Sequence, residues 1–307
     1  MVVRVGIAGI SEGNGHPFSF SAIVNGFSDD GMADSGWSGI HEYVRKKDPC
    51  EFGVGNLRVT HAWTQDPEVT ARLCRASRIP NACASVEEFH GNVDAVILAR
   101  DDYQDHWRMA QPFLEAGLPV FLDKPLSVEP EALRKFLPYL EKGQLMSCSG
   151  LRYAAELDDP RSRLENYGRL KLVRGVVVNS WEQYGIHMLD GIFGVLKCRP
   201  ASVQRHAVEH ASMGIETDDG TLVLIDALDE CATTFRIDFY GTRLSSVHEI
   251  RDNFTMFRRA LWRFEGMIRT GEPPVPPRHT VDMMRVLIAG REAVAGGEKV
   301  EIDDVVI

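Results

Sequence analysis

The sequence predicts an α/β fold in two parts. An N-terminal doubly wound parallel sheet is followed by a C-terminal α+β domain with an open, mainly antiparallel sheet. Three observations carry this. Short apolar, β-branched runs alternate with helical patterns as far as Gly150. Beyond it, long strand-like runs outnumber helices. The chain has 307 residues, which suits two domains of ~150 residues better than one core. The expected boundary therefore puts residues 1–150 in the first domain and 151–307 in the second.

The first strand is 2–10, a β-branched run that ends in the polar, glycine-rich segment 11–16. Pro17 suits the first turn of the helix that follows, through Phe20, Ile23 and Val24. Strands are expected at 57–63, 93–99, 119–122 and 144–150. Between them lie a helix opened by Asp66-Pro67-Glu68 with Asp66 as its cap, a helix at 106–117 closed by glycine, and one at 129–142. About thirty residues, 27–56, form an insertion where such folds use a short connection. Trp37, Ile40, Tyr43 and Val44 stand there at helical spacing, so the insertion is either a short packed helix or a lid beside the ligand. In the second domain, strands are expected at 170–178, 201–208, 220–228 and 232–240, and helices at 184–196, 253–270 and 281–295.

Composition limits the function. Hydrophobic residues make up 44% and charged residues 25%, and the net charge is −10. These values predict an ordinary globular, cytoplasmic chain with no basic surface for nucleic acid. No apolar run reaches the ~18 residues of a membrane span, and residues 1–10 hold too short an apolar run for a signal peptide. The six cysteines include no C-x-x-C pair, which argues for reduced thiols and against a structural metal. His206, Glu209 and His210 fall on a strand and its end, where solvated positions explain them better than a metal site. Arg45-Lys46-Lys47 reads as a solvated helix face.

The turn after the first strand reads Gly9-Ile10-Ser11-Glu12-Gly13-Asn14-Gly15-His16-Pro17. It departs from G-x-G-x-x-G, with Ser11 in place of the second glycine, yet it joins a strand to a helix as a dinucleotide loop must. Gly9, Ser11, Gly13 and Gly15 are the candidate cofactor contacts, because glycine lets backbone approach a pyrophosphate at a helix N-terminus. Thr64 ends the second strand, where a ribose-binding carboxylate is expected. No carboxylate occurs before Asp66 and no Arg stands ready for a 2′-phosphate, so NAD and NADP both remain open.

Phe121-Leu122-Asp123-Lys124-Pro125-Leu126 is the most informative segment. With Ala95-Val96-Ile97-Leu98-Ala99, His106 and Ala116-Gly117-Leu118-Pro119-Val120 before it, the sequence resembles the Gfo/Idh/MocA family of NAD(P)-dependent oxidoreductases. The family's E-K-P appears here as Asp123-Lys124-Pro125. Leu151-Arg152-Tyr153 is similar to the family's entry to its second domain, and the tail, from Asn253-Phe254 through Gly271-Glu272-Pro273-Pro274 to Val300, to its closing pattern. The family's D-x-G-x-H-x-x-D is matched by Gly185, His187 and Asp190, while Gln183 replaces the first aspartate.

The resemblance implies hydride transfer between a nicotinamide, NAD or NADP, and a hydroxyl or keto carbon of a sugar, nucleotide sugar or inositol. It implies Lys124, His187 and Tyr184 as catalytic residues, with Asp123, Lys124 and Pro125 at the cofactor. Arg152, Gln183, Tyr184, His187, Asp190 and Lys124 are implied at the substrate. Asp190, at i+3 from His187, either orients the imidazole or holds the helix start. The acidic pair Asp101-Asp102 and Arg100 depart from the small residues the family places there. A homodimer or homotetramer through the C-terminal sheet is expected, with Val173, Val176, Val178, Phe235 and Phe239 as its apolar face. The loss of the carboxylate at Gln183 keeps a second reading open: a cofactor-binding regulatory or scaffold protein without catalysis.

Overall fold

A computed structural model describes residues 1–307. Six strands, β1 (Val3–Ala8), β2 (Leu57–Trp63), β3 (Asn81–Ala82), β4 (Ala95–Leu98), β5 (Val120–Leu122) and β6 (Leu145–Met146), make one sheet. All its pairings are parallel, in the order β3-β2-β1-β4-β5-β6. This is the Rossmann order, with a topological switch between β1 and β4. The strands are short apolar runs; β4 and β5 are buried along their whole length, as strands covered on both faces must be. The expected strand at 144–150 shortens to Leu145–Met146.

The helices begin and end where the sequence chemistry directs. α1 (His16–Asn25) has proline in its first turn and stops at Gly26, whose φ is +78°. The insertion folds as α2 (Asp29–Ala33) and α3 (Ser38–Arg45). Trp37 and Ile40 pack so closely on Gly15 that a Cβ there would lie 2.5 Å from Ile40 and 2.8 Å from Trp37. In α4 (Pro67–Ala76), the Asp66 carboxylate accepts from Glu68 N at 2.8 Å. α5 (His106–Glu115) closes through Gly117, φ +80°, with Leu118 N donating to Phe113 O at 2.9 Å. α6 (Pro130–Glu141) closes likewise through Gly143, with Gln144 N on Tyr139 O at 3.0 Å.

After α7 (Asp158–Ser162), seven strands form the second sheet: β7 (Leu170–Val177), β8 (Pro200–Arg205), β9 (Ala211–Thr217), β10 (Leu222–Ala227), β11 (Phe235–Gly241), β12 (Ser245–Glu249) and β13 (Val300–Glu301). Their order is β12-β11-β7-β10-β9-β8-β13. Only β7 and β10 run parallel; the rest pair antiparallel, giving the open, mainly antiparallel sheet that the sequence predicts. One face packs on α8 (Trp181–Phe193). Gly175 of β7 leaves room for Met188 and Ile192, and Gly191 of α8 for Ile237. α9 (Asn253–Thr270) and α10 (Pro277–Gly296) complete the helices.

The expected apolar outer face is corrected here. Val173 and Phe239 are fully buried on the helix-covered side. Strand alternation puts Arg174, Asp226, Arg236, Asp238 and Tyr240 on the other side, where Arg174 meets Asp226 at 2.8 Å and Arg236 meets Asp238 at 2.8 Å. The list drawn from the sequence mixed residues of both faces, and with a period of two a one-residue offset exchanges them.

By its internal contacts the chain divides into two compact units. One is Met1–Leu126 with Lys135–Ser147 and Phe257–Pro277; the other is Ser127–Arg134 with Cys148–Met256 and Arg278–Ile307. No helix is long and apolar enough to cross a membrane.

Candidate active site

In the first unit, strand register levels the carboxyl ends. Ala8 pairs with Trp63 and with Leu98, and Leu98 with Leu122. The residues just beyond, Gly9, Thr64, Ala99 and Asp123, therefore form one rim, where ligands bind in open parallel sheets.

The glycine loop is set by its own bonds. Gly9 has φ +84°, and a Cβ there would run into the Arg100 side chain. Gln65 clamps the next residue, its Oε1 accepting from Ile10 N at 3.0 Å and its Nε2 donating to Ile10 O at 2.7 Å. Asn14 N returns to Ser11 O at 3.1 Å around Gly13, whose φ is +74°. Asn14 Oδ1 then accepts from His16 N at 2.9 Å and starts α1.

Asp123 is buried beneath this loop. It accepts from His16 Nδ1 at 2.6 Å, from Asn14 Nδ2 at 2.8 Å and from Lys124 N at 2.8 Å. Burial works to raise its carboxyl, but His16, Lys124 and Asn14 together outweigh burial and hold it below the usual carboxylate range. Lys124 is also buried, and its Nζ donates to Asp101 Oδ2 at 3.2 Å. Asp101 in turn accepts from the Ser11 hydroxyl. Arg100, under Gly9, pairs with Asp102 and with Asp105 at 3.1 Å. The Lys124–Pro125 peptide is cis. Both ring nitrogens of the buried His106 reach carbonyl oxygens, Leu126 O at 3.0 Å and Arg100 O at 2.8 Å, tying the segment after β4 to the one after β5.

Thr64 lies on the same rim as Gly9 and Asp123. It is buried, and its hydroxyl is used locally on Asp66 O at 2.7 Å and Thr70 Oγ1 at 2.8 Å.

The second unit holds the other group. Ser180 caps α8, accepting from Gln183 N at 3.4 Å. Gln183 is exposed and Tyr184 half-buried, and from Gly185 onward the helix is buried. His187 Nδ1 lies 2.6 Å from the Ser149 hydroxyl, which also accepts from Leu151 N at 3.2 Å. Tyr184 meets the imidazole edge-on at 5.0 Å between ring centroids, and Phe235 at 6.1 Å. Asp190 does not turn to His187. It accepts from Ser149 N at 2.6 Å and from Arg152 Nη1 at 3.5 Å, and burial raises its carboxyl against these partners. Arg152 Nη1 also donates to His279 Nε2 at 2.5 Å. Burial first, and the guanidinium second, push His279 down to about 3, so it is the neutral acceptor.

Sequence reasoning missed Ser149, His279, Asn14 and His16. Ser149 and His279 reach their partners from 38 and 127 residues away in the chain. Asn14 and His16 lay inside the recognised loop, where a polar residue before a helix was the available signal.

The rim, the loop and the switch point define a class of fold: a Rossmann-type nucleotide-binding domain joined to a mainly antiparallel α+β unit. A family model described as "Oxidoreductase family, NAD-binding Rossmann fold", that of Gfo/Idh/MocA, matches residues 36–150 and bears out the resemblance drawn from the sequence. No curated protein matches the chain. Among solved structures, the chain is similar to a putative myo-inositol dehydrogenase from Sinorhizobium meliloti, with TM-score 0.76 and 15% identity over 98% of this chain and 100% of that one. A scyllo-inositol dehydrogenase from Lactobacillus casei with bound NAD(H) and scyllo-inositol gives TM-score 0.76 and 13% identity, covering 99% and 100%. A putative NADPH-dependent oxidoreductase from Desulfitobacterium hafniense gives 0.76 and 14%, covering 100% and 99%. At these identities the likeness is one of fold.

Proposed function

We propose that the protein is an NAD(P)-dependent dehydrogenase acting on a CH–OH group of a sugar, nucleotide sugar or inositol. The observation that supports this most is Lys124, a buried ammonium at the end of β5 whose Nζ and the Ser11 hydroxyl share the Asp101 carboxylate. The residues present fit a dinucleotide, because a glycine at φ +84° leads into the N-terminus of α1 at the sheet's switch point. Gly9, Ser11, Gly13 and Gly15 would hold its diphosphate, with Asp123 and Pro125 fixing the neighbouring turn. When bound, the nicotinamide accepts or supplies the hydride.

The chain's own residues handle the oxygen and its proton. Lys124 donates a hydrogen bond to the substrate oxygen. His187 takes the hydroxyl proton at Nε2 during oxidation and returns it during reduction, since an imidazole titrates nearest neutrality. Ser149 holds the other nitrogen. Tyr184 and Gln183, at the open end of α8, contact substrate hydroxyls. Arg152 and Asp190 brace that end from behind through Ser149 and His279.

The test titrates the purified chain with NAD(H) and NADP(H), then assays a panel of inositols, sugars and nucleotide sugars for reduced nicotinamide. Lys124→Ala and His187→Ala are each expected to lower turnover ~10²-fold or more with the fold intact. Near-normal rates in both remove these roles. A regulator that binds cofactor without turnover is the second reading. The carboxylate of Asp101 beside the loop and the uncharged Gln183 favour it, and cofactor binding with no activity on any substrate would establish it.

A further inference from the structure

The opposite edge of the parallel sheet, where β2 begins and α1 ends, holds a cavity of about 640 Å³. Arg45, Lys47, Arg58 and Arg78 line it, Phe27 and Phe52 form its aromatic wall, and it has no carboxylate in its lining. Four cations gathered in one hollow are unexpected in a chain with net charge −10. Arg45 and Lys47, which the sequence suggested were a solvated helix face, are two of them.

Local structure builds the hollow. Gly26 ends α1 at φ +78°, and Gly53 N donates to Ile23 O at 2.9 Å, seating the end of the insertion against the last turn of α1. The Phe27 and Phe52 rings lie 5.6 Å apart. Arg78 follows α4 at φ +53°, a left-handed conformation that brings its guanidinium within 3.5 Å of where a Gly26 Cβ would stand. The insertion thus supplies both aromatic rings and two of the cations.

Charge decides what fits. The carbonyl end of α1 contributes about half a negative charge, and Asp29 meets Arg45 at 3.2 Å. Arg58 and Arg78 have no carboxylate partner. The cavity therefore keeps a net positive charge, presented largely by guanidinium groups, whose planar forks match phosphate oxygens two at a time. Its volume lies within the ~300–1,000 Å³ of small-molecule sites.

We propose that this cavity binds a phosphorylated small molecule, with phosphate on Arg58 and Arg78 and a planar or apolar portion against Phe27 and Phe52. The site is independent of the chemistry at the other edge of the sheet. The probes are pyrophosphate and AMP, titrated calorimetrically into the full chain. Saturable binding is expected with Kd below about 1 mM, weakened ~10-fold or more in Arg58→Gln/Arg78→Gln while NAD(H) affinity stays unchanged. Both arginines are exposed, so the double variant keeps its fold, as circular dichroism would verify. Phenylglyoxal labelling of Arg58 and Arg78, read by mass spectrometry, is expected to slow when the probe is present. Tighter binding of AMP, lost in Phe52→Ala, identifies a nucleotide; equal binding indifferent to Phe52 identifies the phosphate alone. Absence of saturable heat from either probe to about 10 mM, or affinities untouched in the double variant, overturns the proposal.

Discussion

Asp101 sets the charge that an anionic ligand meets at the glycine loop. It accepts from Ser11 and Lys124, so one carboxylate both braces the loop and neutralises the ammonium. Asp101→Asn keeps an acceptor for Ser11 but removes one of the two negative charges, with Asp123, that act on the Lys124 ammonium. Dinucleotide affinity, measured by calorimetry, is expected to rise ~3- to 10-fold; weaker binding would show that Asp101 serves the ligand directly. Ser149 plays a different part. Its hydroxyl can donate to the neutral imidazole of His187 or accept from the protonated ring, so it suits both states of the proton carrier proposed for His187, where a carboxylate would favour one. Ser149→Ala is expected to lower kcat ~3- to 10-fold with KM little changed, and Ser149→Thr to restore it. An unchanged kcat in the alanine variant removes that role.

Single positions at helix entries carry much of the geometry. Asp66→Ala removes the cap of α4 and is expected to cost ~1 kcal/mol in urea unfolding. Gly9→Ala should cost more, ~2 kcal/mol or above, because it combines a left-handed φ with a collision against Arg100. Elements with strong local signals were legible in the sequence: β1, β2, β4 and β5 as apolar runs, and α1, α4 and α5 through Pro17, Asp66 and Gly117. β3 and β13 span two residues each, too few for any periodicity, and β9, Ala211–Thr217, carries small and polar residues that hide it. Lys124 and His187 were singled out as candidates through motifs. Their partners were not, because Ser149, Asp101 and His279 acquire meaning only when the chain brings distant segments together, which no spacing rule records.

At the scale of the whole molecule, His279 links stability to acidity. Unfolded, an imidazole binds its proton near pH 6.5, whereas the folded chain holds His279 neutral down to about 3. Between those values the unfolded state carries the extra proton, so stability is fully present above about pH 6.5 and is lost as pH falls toward about 3. Asp123, also held below its ordinary range, contributes in the same direction only beneath about pH 4. Between about pH 6.5 and 4.5 His279 acts together with His61, which burial also depresses, and against Asp190, whose carboxyl burial raises, so the His279 share is read from the variant. The free energy of urea unfolding is expected to drop there by ~1–2 kcal/mol, and His279→Gln to flatten that slope; an unaltered slope would assign it to other groups. The division of the chain has a consequence for its birth on the ribosome. Phe264 lies 5.7 Å from Phe121, and Phe257 5.3 Å from Phe20, in one compact unit whose final strip is Phe257–Pro277. Nascent chain that has emerged only as far as Gly150 leaves those two rings bare and must wait, vulnerable to proteases and in need of chaperones, until the last fifth of the polypeptide arrives.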